Sequence, residues 1–187
     1  GQSADIRDVL GRIVRIAPTD ATGLITGESG TGKELVARAI HANSLRGERP
    51  FVSINCAALT ETLLESELFG HVRGAFTSAV QTRKGLFEEA NGGTLFLNEA
   101  AEMSAPMQVK LLRALELGEV RRLGEGRVRA VDVRILAATN SDVDELVRLG
   151  RFREDLQDRP MAPMAPPRPL PAGPQDPGRA VLLFPHE

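Results

Sequence analysis

The sequence predicts an α/β fold: a mostly parallel sheet with helices on both faces, three layers deep. Short apolar runs at Gly23–Thr26, Phe51–Ile54, Thr94–Leu97 and Val131–Ala138 alternate with segments of helical period, the pattern of strand–helix–strand units. The first run passes straight into a glycine-rich loop that opens a helix. The other three end in polar pairs, Asn55-Cys56, Asn98-Glu99 and Thr139-Asn140, and the carboxyl edge of such a sheet is where ligands and reactive groups gather.

Each element has its own signal. Ile6, Val9, Leu10, Ile13 and Ile16 mark an amphipathic helix that Pro18-Thr19-Asp20 ends. The helix after Lys33 runs to about His41, which reads as an exposed helix-end histidine. Asn43 to Pro50 is a polar loop. Beyond the second strand, Cys56 reads as a small packed residue rather than a reactive thiol. Thr60 caps a helix over Glu61 to Leu68. Residues 69–79 show no period; they read either as a surface loop or as a mobile loop that offers an exposed Phe76 to a partner. Gly85 to Ala90 is a short helix, and Asn91-Gly92-Gly93 a turn before the third strand. Ser104 caps a helix from Ala105 to Leu117, with Pro106 in its first turn, Gly118 at its end, and Met107, Leu111, Ala114 and Leu115 facing the core. Gly124-Glu125-Gly126 turns a hairpin whose arginines read as a solvated face. Short helices are expected over Asp142 to Leu149 and Phe152 to Asp158.

The loop Gly27-Glu28-Ser29-Gly30-Thr31-Gly32-Lys33-Glu34 has the spacing G-x-x-x-x-G-K of a phosphate cradle. Glycines let successive N–H groups turn inward toward phosphate oxygens, the following helix adds its positive end, and Lys33 brings an ammonium to the terminal phosphates. Glu34 stands where a magnesium-binding hydroxyl is usual. Its carboxylate would touch the metal through water, or sit in the helix's first turn where the dipole favours it; both readings stay open. Thr94 to Glu99 has the shape of a second nucleotide motif, an apolar strand ending in a metal ligand and then a glutamate that activates water. The metal position is Asn98, a neutral and therefore weakened ligand.

Composition narrows the rest. The chain has 187 residues, 23 basic and 25 acidic, and a net charge of -2, so no global field holds it on nucleic acid and direct DNA binding is not expected. One cysteine precludes an internal disulfide and fits a reducing, cytoplasmic setting. No apolar run reaches membrane-spanning length, and no membrane partner is expected. The chain begins with Gly1 and reads as a processed or excised piece. Nine of its 12 prolines fall between Pro160 and Glu187, so residues 1–159 form the expected core and 160–187 an expected unpacked, disordered tail.

Taken together, these motifs resemble the central AAA+ ATPase domain of sigma-54-dependent transcriptional activators, over about Ile6 to Arg159. GESGTGKE at 27–34 is similar to the family's phosphate loop, Glu34 included. FVSINCAAL at 51–59 resembles its second strand, with Asn55 at the position that senses nucleotide state and places the catalytic glutamate, here Glu99. Residues Gly74-Ala75-Phe76-Thr77-Ser78-Ala79 resemble the GAFTGA loop that contacts sigma-54, with Ser78 for the second glycine. GGTLFLNEA at 92–100 resembles the metal and water-activation motif, with Asn98 for Asp and Ala100 for Ile. VRILAATN resembles the sensor strand ending in Asn140, and FREDLQDR places Arg153 and Arg159 as arginine fingers.

The resemblance implies a hexameric ring that binds ATP with Mg2+ between subunits and uses hydrolysis to drive the Phe76 loop against sigma-54 RNA polymerase. Asn98 leads us to expect impaired hydrolysis. The pattern stops after Arg159, where the family continues into a helical lid, so the chain reads as truncated. Such a break into Pro/Ala/Arg-rich sequence is what a shifted reading frame in GC-rich DNA produces. The rival readings are a non-catalytic nucleotide-binding regulatory module and a degenerate fragment.

Overall fold

The structure, a computed structural model, describes residues 4–148 and 180–183. In chain order it contains α1 (Ala4–Ile16), β1 (Gly23–Gly27), α2 (Lys33–Ala42), β2 (Phe51–Asn55), α3 (Glu61–Phe69), β3 (Gly70–His71), β4 (Arg83–Lys84), α4 (Leu86–Glu89), β5 (Thr94–Asn98), a 3-10 turn (Ala100–Glu102), α5 (Ala105–Leu117), β6 (Glu119–Arg121), β7 (Val128–Ala130), β8 (Arg134–Thr139), α6 (Val143–Arg148) and β9 (Ala180–Leu183). The central sheet has the order β2-β5-β8-β1-β9. Its first four strands pair in parallel, and β9 runs antiparallel along β1.

The predicted three layers are present, and strand alternation builds them. Ile25, Phe96, Leu136 and Ala138 point to one face, where Ile13, Ile16, Ala37 and Ile40 of α1 and α2 cover them. Leu24, Leu95, Leu97 and Ile135 point to the other, against Leu64, Leu68, Met107, Leu111 and Leu112 of α3 and α5. Because both faces are buried, the strands read as continuous apolar runs. The capping residues act as expected: Thr60 Oγ1 accepts the Leu63 N–H, Ser104 Oγ accepts the Met107 N–H, and Gly118 ends α5 in the left-handed region at φ 62°.

The buried Arg134, 2% exposed, fastens α1 to the sheet. Its guanidinium donates to the carbonyls of Ile16, Ala17 and Ala21 at 2.9, 3.0 and 3.2 Å. The carbonyls at and just beyond the end of α1 are partly negative, so a cation there is favoured. Burial holds this guanidinium below the ordinary arginine value. Nearby, Arg46 bridges Asp20 and Asp132 at 2.7 and 2.8 Å, tying the loops before β1 and β8 to the end of α2. The arginine's hydrogen bond holds the Asp20 carboxyl below its usual value.

Four expectations are corrected. His41 is buried, at 7% exposure, rather than exposed. Its Nε2 donates to the Arg49 carbonyl at 3.0 Å, which leaves Nδ1 to accept from the Thr94 hydroxyl at 2.9 Å. The hairpin arginines are not all solvated: Arg122 and Arg129 both turn inward to the Glu88 carboxylate. Residues 69–79 are not wholly without period, since Gly70-His71 pairs with Arg83-Lys84. In the proline-rich tail, Ala180–Leu183 forms an edge strand; the helix expected over Phe152 to Asp158 lies outside the described residues.

Burial pushes the His41 imidazole below its ordinary value of 6.5. The unfolded chain therefore binds a proton that the folded chain resists, and stability falls as pH drops below about 6.5. We expect the melting temperature at pH 5.5 to lie a few degrees below that at pH 7.5, measured by circular dichroism. His41→Gln should remove most of that difference. The carboxylates Asp20 and Glu88 have lowered pKa values, so their effect belongs to a more acid range.

Candidate functional site

Parallel pairing sets the site. The register Thr26↔Thr139, Asn98↔Ala138 and Asn55↔Asn98 brings the carboxyl ends of β1, β8, β5 and β2 to one edge. Gly27, Asn140, Asn98, Glu99 and Asn55 stand along it.

The glycine-rich loop leaves β1 and enters α2 at Lys33. Gly30 and Gly32 take φ of 79° and 80°, a region costly for other residues, and a Cβ on Gly30 would meet nothing within 4 Å. Thus the glycine at 30 serves backbone shape and leaves open space over the loop. Thr31 Oγ1 donates to the Glu28 carbonyl at 2.8 Å and braces the curl. Glu28, Ser29 and Gly30 form the exposed rim. Lys33 is only 6% exposed, and its ammonium folds inward, donating to the carbonyls of Gly27 and Glu28 at 2.9 and 3.0 Å. The Glu34 carboxylate, in the first turn of α2, pairs with Arg38 one turn along the helix, at 2.7 Å.

Glu99 faces the same ammonium. Its Oε1 lies 3.6 Å from Lys33 Nζ, and its Oε2 accepts the Asn140 N–H at 3.1 Å. Glu99 has φ 53°, the one positive φ outside glycine among the described residues, at a cost of roughly 1–2 kcal/mol. Strain of that kind collects at functional positions. The Asn98 Oδ1 accepts the Glu99 N–H at 3.1 Å and stabilises the bend.

The structure therefore brings Lys33, Glu99, Asn98 and the Asn140 backbone together. Asn55 stands on the same edge but turns away, its Oδ1 accepting the Ala57 N–H at 3.0 Å. Cys56 is buried beside Glu99, and burial pushes its thiol up to about 12, as expected of an unreactive packing residue. Arg153 and Arg159 lie outside the described residues.

The magnesium ion implied by the resemblance does not fit the donors present. Asn98 has no charge and its oxygen accepts the Glu99 N–H, Glu34 points along α2 to Arg38, and Glu99 is shared between an ammonium and an N–H. Magnesium is usually held by one or two carboxylates together with substrate phosphates and water, and the Glu34 and Glu99 carboxylates are both engaged elsewhere. No group of three or more His, Cys, Asp or Glu among the described residues is arranged to hold a metal.

At the second expected site, Gly74 to Ala79 forms a tight loop closed by Gly74 N–H to Ala79 carbonyl and Ala79 N–H to Phe76 carbonyl bonds, both 2.9 Å. Phe76 is half-buried rather than fully exposed. Its ring meets His71 edge-on, with centroids 5.0 Å apart, and His71 Nδ1 is 2.8 Å from the Ser66 hydroxyl. Sequence reasoning missed His71; its position five residues before Phe76 in the same loop was the available signal. It also missed Leu123 in the β6–β7 turn, whose N–H and carbonyl pair with Gly70 and Val72 and stitch that hairpin to the base of the Phe76 loop.

Comparison with known proteins bears on the family and the fold. The chain is 58% identical over 159 residues to the transcriptional regulatory protein ZraR of Klebsiella oxytoca, covering 85% of this chain and 36% of the relative. It is 57% identical over 159 residues to the Nif-specific regulatory protein of Azotobacter vinelandii, covering 85% and 30%. The chain thus spans about a third of the length of these relatives. Among solved structures, NtrX from Brucella abortus in complex with ATP superposes with a TM-score of 0.76 at 42% identity, over 85% of this chain and 36% of that one. A P-loop NTPase domain of a sigma-54 activator from E. coli, 18% identical with a TM-score of 0.53 over 79% and 96% of the two chains, shares the fold. Residues 1–162 match the sigma-54 interaction domain, and the chain belongs to that family.

Proposed function

We propose that the chain is the ATP-binding, sigma-54-contacting module of a bacterial transcriptional activator. The observation that carries this reading is the loop at 27–34. It joins a left-handed Gly30 and Gly32 to an inward-facing Lys33 ammonium with Glu99 beside it. On this reading the loop's N–H groups receive the phosphates. Lys33 leaves the carbonyls of Gly27 and Glu28 for phosphate oxygens. Glu99 orients the attacking water once released from the ammonium, and Asn55 and Asn140 report the presence of the terminal phosphate. Magnesium, where it accompanies ATP, arrives on the phosphates themselves. Arg153 and Arg159 reach the nucleotide of a neighbouring subunit in a hexameric ring. The Phe76 loop engages sigma-54 RNA polymerase, and promoter DNA is left to other parts of the assembly. The chain works in the bacterial cytoplasm. No described helix is long and apolar enough to cross a membrane.

A second reading is a regulatory module that holds nucleotide without turning it over. Asn98 favours it, because this side chain supplies no negative charge and spends its oxygen on the Glu99 N–H. Asn55, engaged with Ala57 rather than Glu99, favours it as well.

Three measurements test these readings. Lys33→Ala should weaken binding of a fluorescent ATP analogue at least tenfold while the chain still melts cooperatively; unchanged affinity would remove the loop from the site. Phe76→Ala should abolish capture of sigma-54 in a nucleotide-dependent pull-down and leave nucleotide affinity within about threefold, since the two sites are built from separate loops. Asn98→Asp should raise steady-state phosphate release at least tenfold if the catalytic reading holds. No rise, with nucleotide still bound, selects the regulatory module.

A further inference from the structure

The nucleotide edge carries an unusual charge inventory. Lys33 supplies one positive charge and Glu99 one negative, 3.6 Å apart, so they largely cancel. The neighbouring Asn98 contributes none. Glu34, the only acid in the first turn of α2, is turned outward and neutralised by Arg38. A carboxylate at 98 would do two things at once: attract a divalent cation and repel an uncomplexed polyphosphate. The amide does neither. The open, left-handed loop and the start of α2 still favour an anion, because their N–H groups act on phosphate whether or not a metal accompanies it.

We propose that this site binds nucleoside triphosphate without requiring a divalent cation, taking the metal-free polyphosphate anion as well as its magnesium complex. The inference rests on the nucleotide reading and deepens it by naming the form of the ligand. Asn98 sets that tolerance: its amide offers the cation no charged ligand and does not repel uncomplexed phosphates, so binding does not depend on the metal. Coulomb interactions at this range are large enough for one added charge to matter, since the edge is partly buried and only weakly screened.

The test is titration of the full chain with a ribose-labelled fluorescent ATP, once in excess EDTA and once in millimolar magnesium. The two dissociation constants should agree within about threefold. Asn98→Asp should weaken binding in EDTA about tenfold, and magnesium should restore it. Tightening of the unaltered chain by tenfold or more on adding magnesium would overturn the proposal while leaving the nucleotide reading intact. Absence of binding in both conditions would overturn both. The comparison on the unaltered chain needs no variant, so a poorly folding Asn98→Asp protein does not protect the proposal.

Discussion

Parallel strand pairing is the constraint on which the rest of this structure depends. Parallel neighbours cannot be joined by a tight turn, so each must be reached by a crossover that returns the chain to the same end of the sheet. All the outgoing ends then collect on one edge. The register of β1, β8 and β5 brings Lys33, Asn140 and Glu99 within reach of one another, although more than a hundred residues separate the first from the second. The burial of both sheet faces keeps that register, because a slip of one residue would turn Ile25, Phe96 and Leu136 from one helical layer to the other.

Much of this was legible in the sequence for a physical reason. The glycine-rich loop depends on backbone conformation and local spacing, and both are written in consecutive residues. The strands with their polar ends, the caps Thr60 and Ser104, and the core face of α5 are local in the same sense. Pairings across the fold were not legible. His41 looks like a polar helix end until Thr94 and the Arg49 carbonyl are brought beside it. Arg134 looks like a strand-end charge until the carbonyls at the end of α1 arrive more than a hundred residues away in sequence. Gln108, wholly buried on α5 and donating to the Met103 carbonyl, was invisible for the same reason.

The nucleotide edge and the Phe76 loop differ in how they are held. At the edge, a charged pair and strained backbone fix Glu99 against Lys33, so any anion that competes for the ammonium must also release the carboxylate. The Phe76 loop is held by its ring contact with His71, local backbone bonds, the Arg73 N–H to Thr82 Oγ1 bond, the buried Ala79 and the packing of Gly124 against Ala75. The phosphate edge thus rests on paired strand ends, and the Phe76 loop on local turns and its contact with the hairpin.

The stitch at Leu123 joins the β6–β7 hairpin to the base of that loop. Two backbone bonds, one to Gly70 and one to Val72, join the hairpin to the loop through a single residue pair. Gly124 adds to it: a Cβ there would lie 2.8 Å from Ala75 Cβ and 3.1 Å from Val72 Cγ2, so the absence of a side chain lets the hairpin turn sit against the loop. The hairpin is anchored on its other side by Arg122 to Glu88 of α4. A side chain at position 124 would therefore push the hairpin turn and the Phe76 loop apart, so the seat of the loop depends on one missing methyl group.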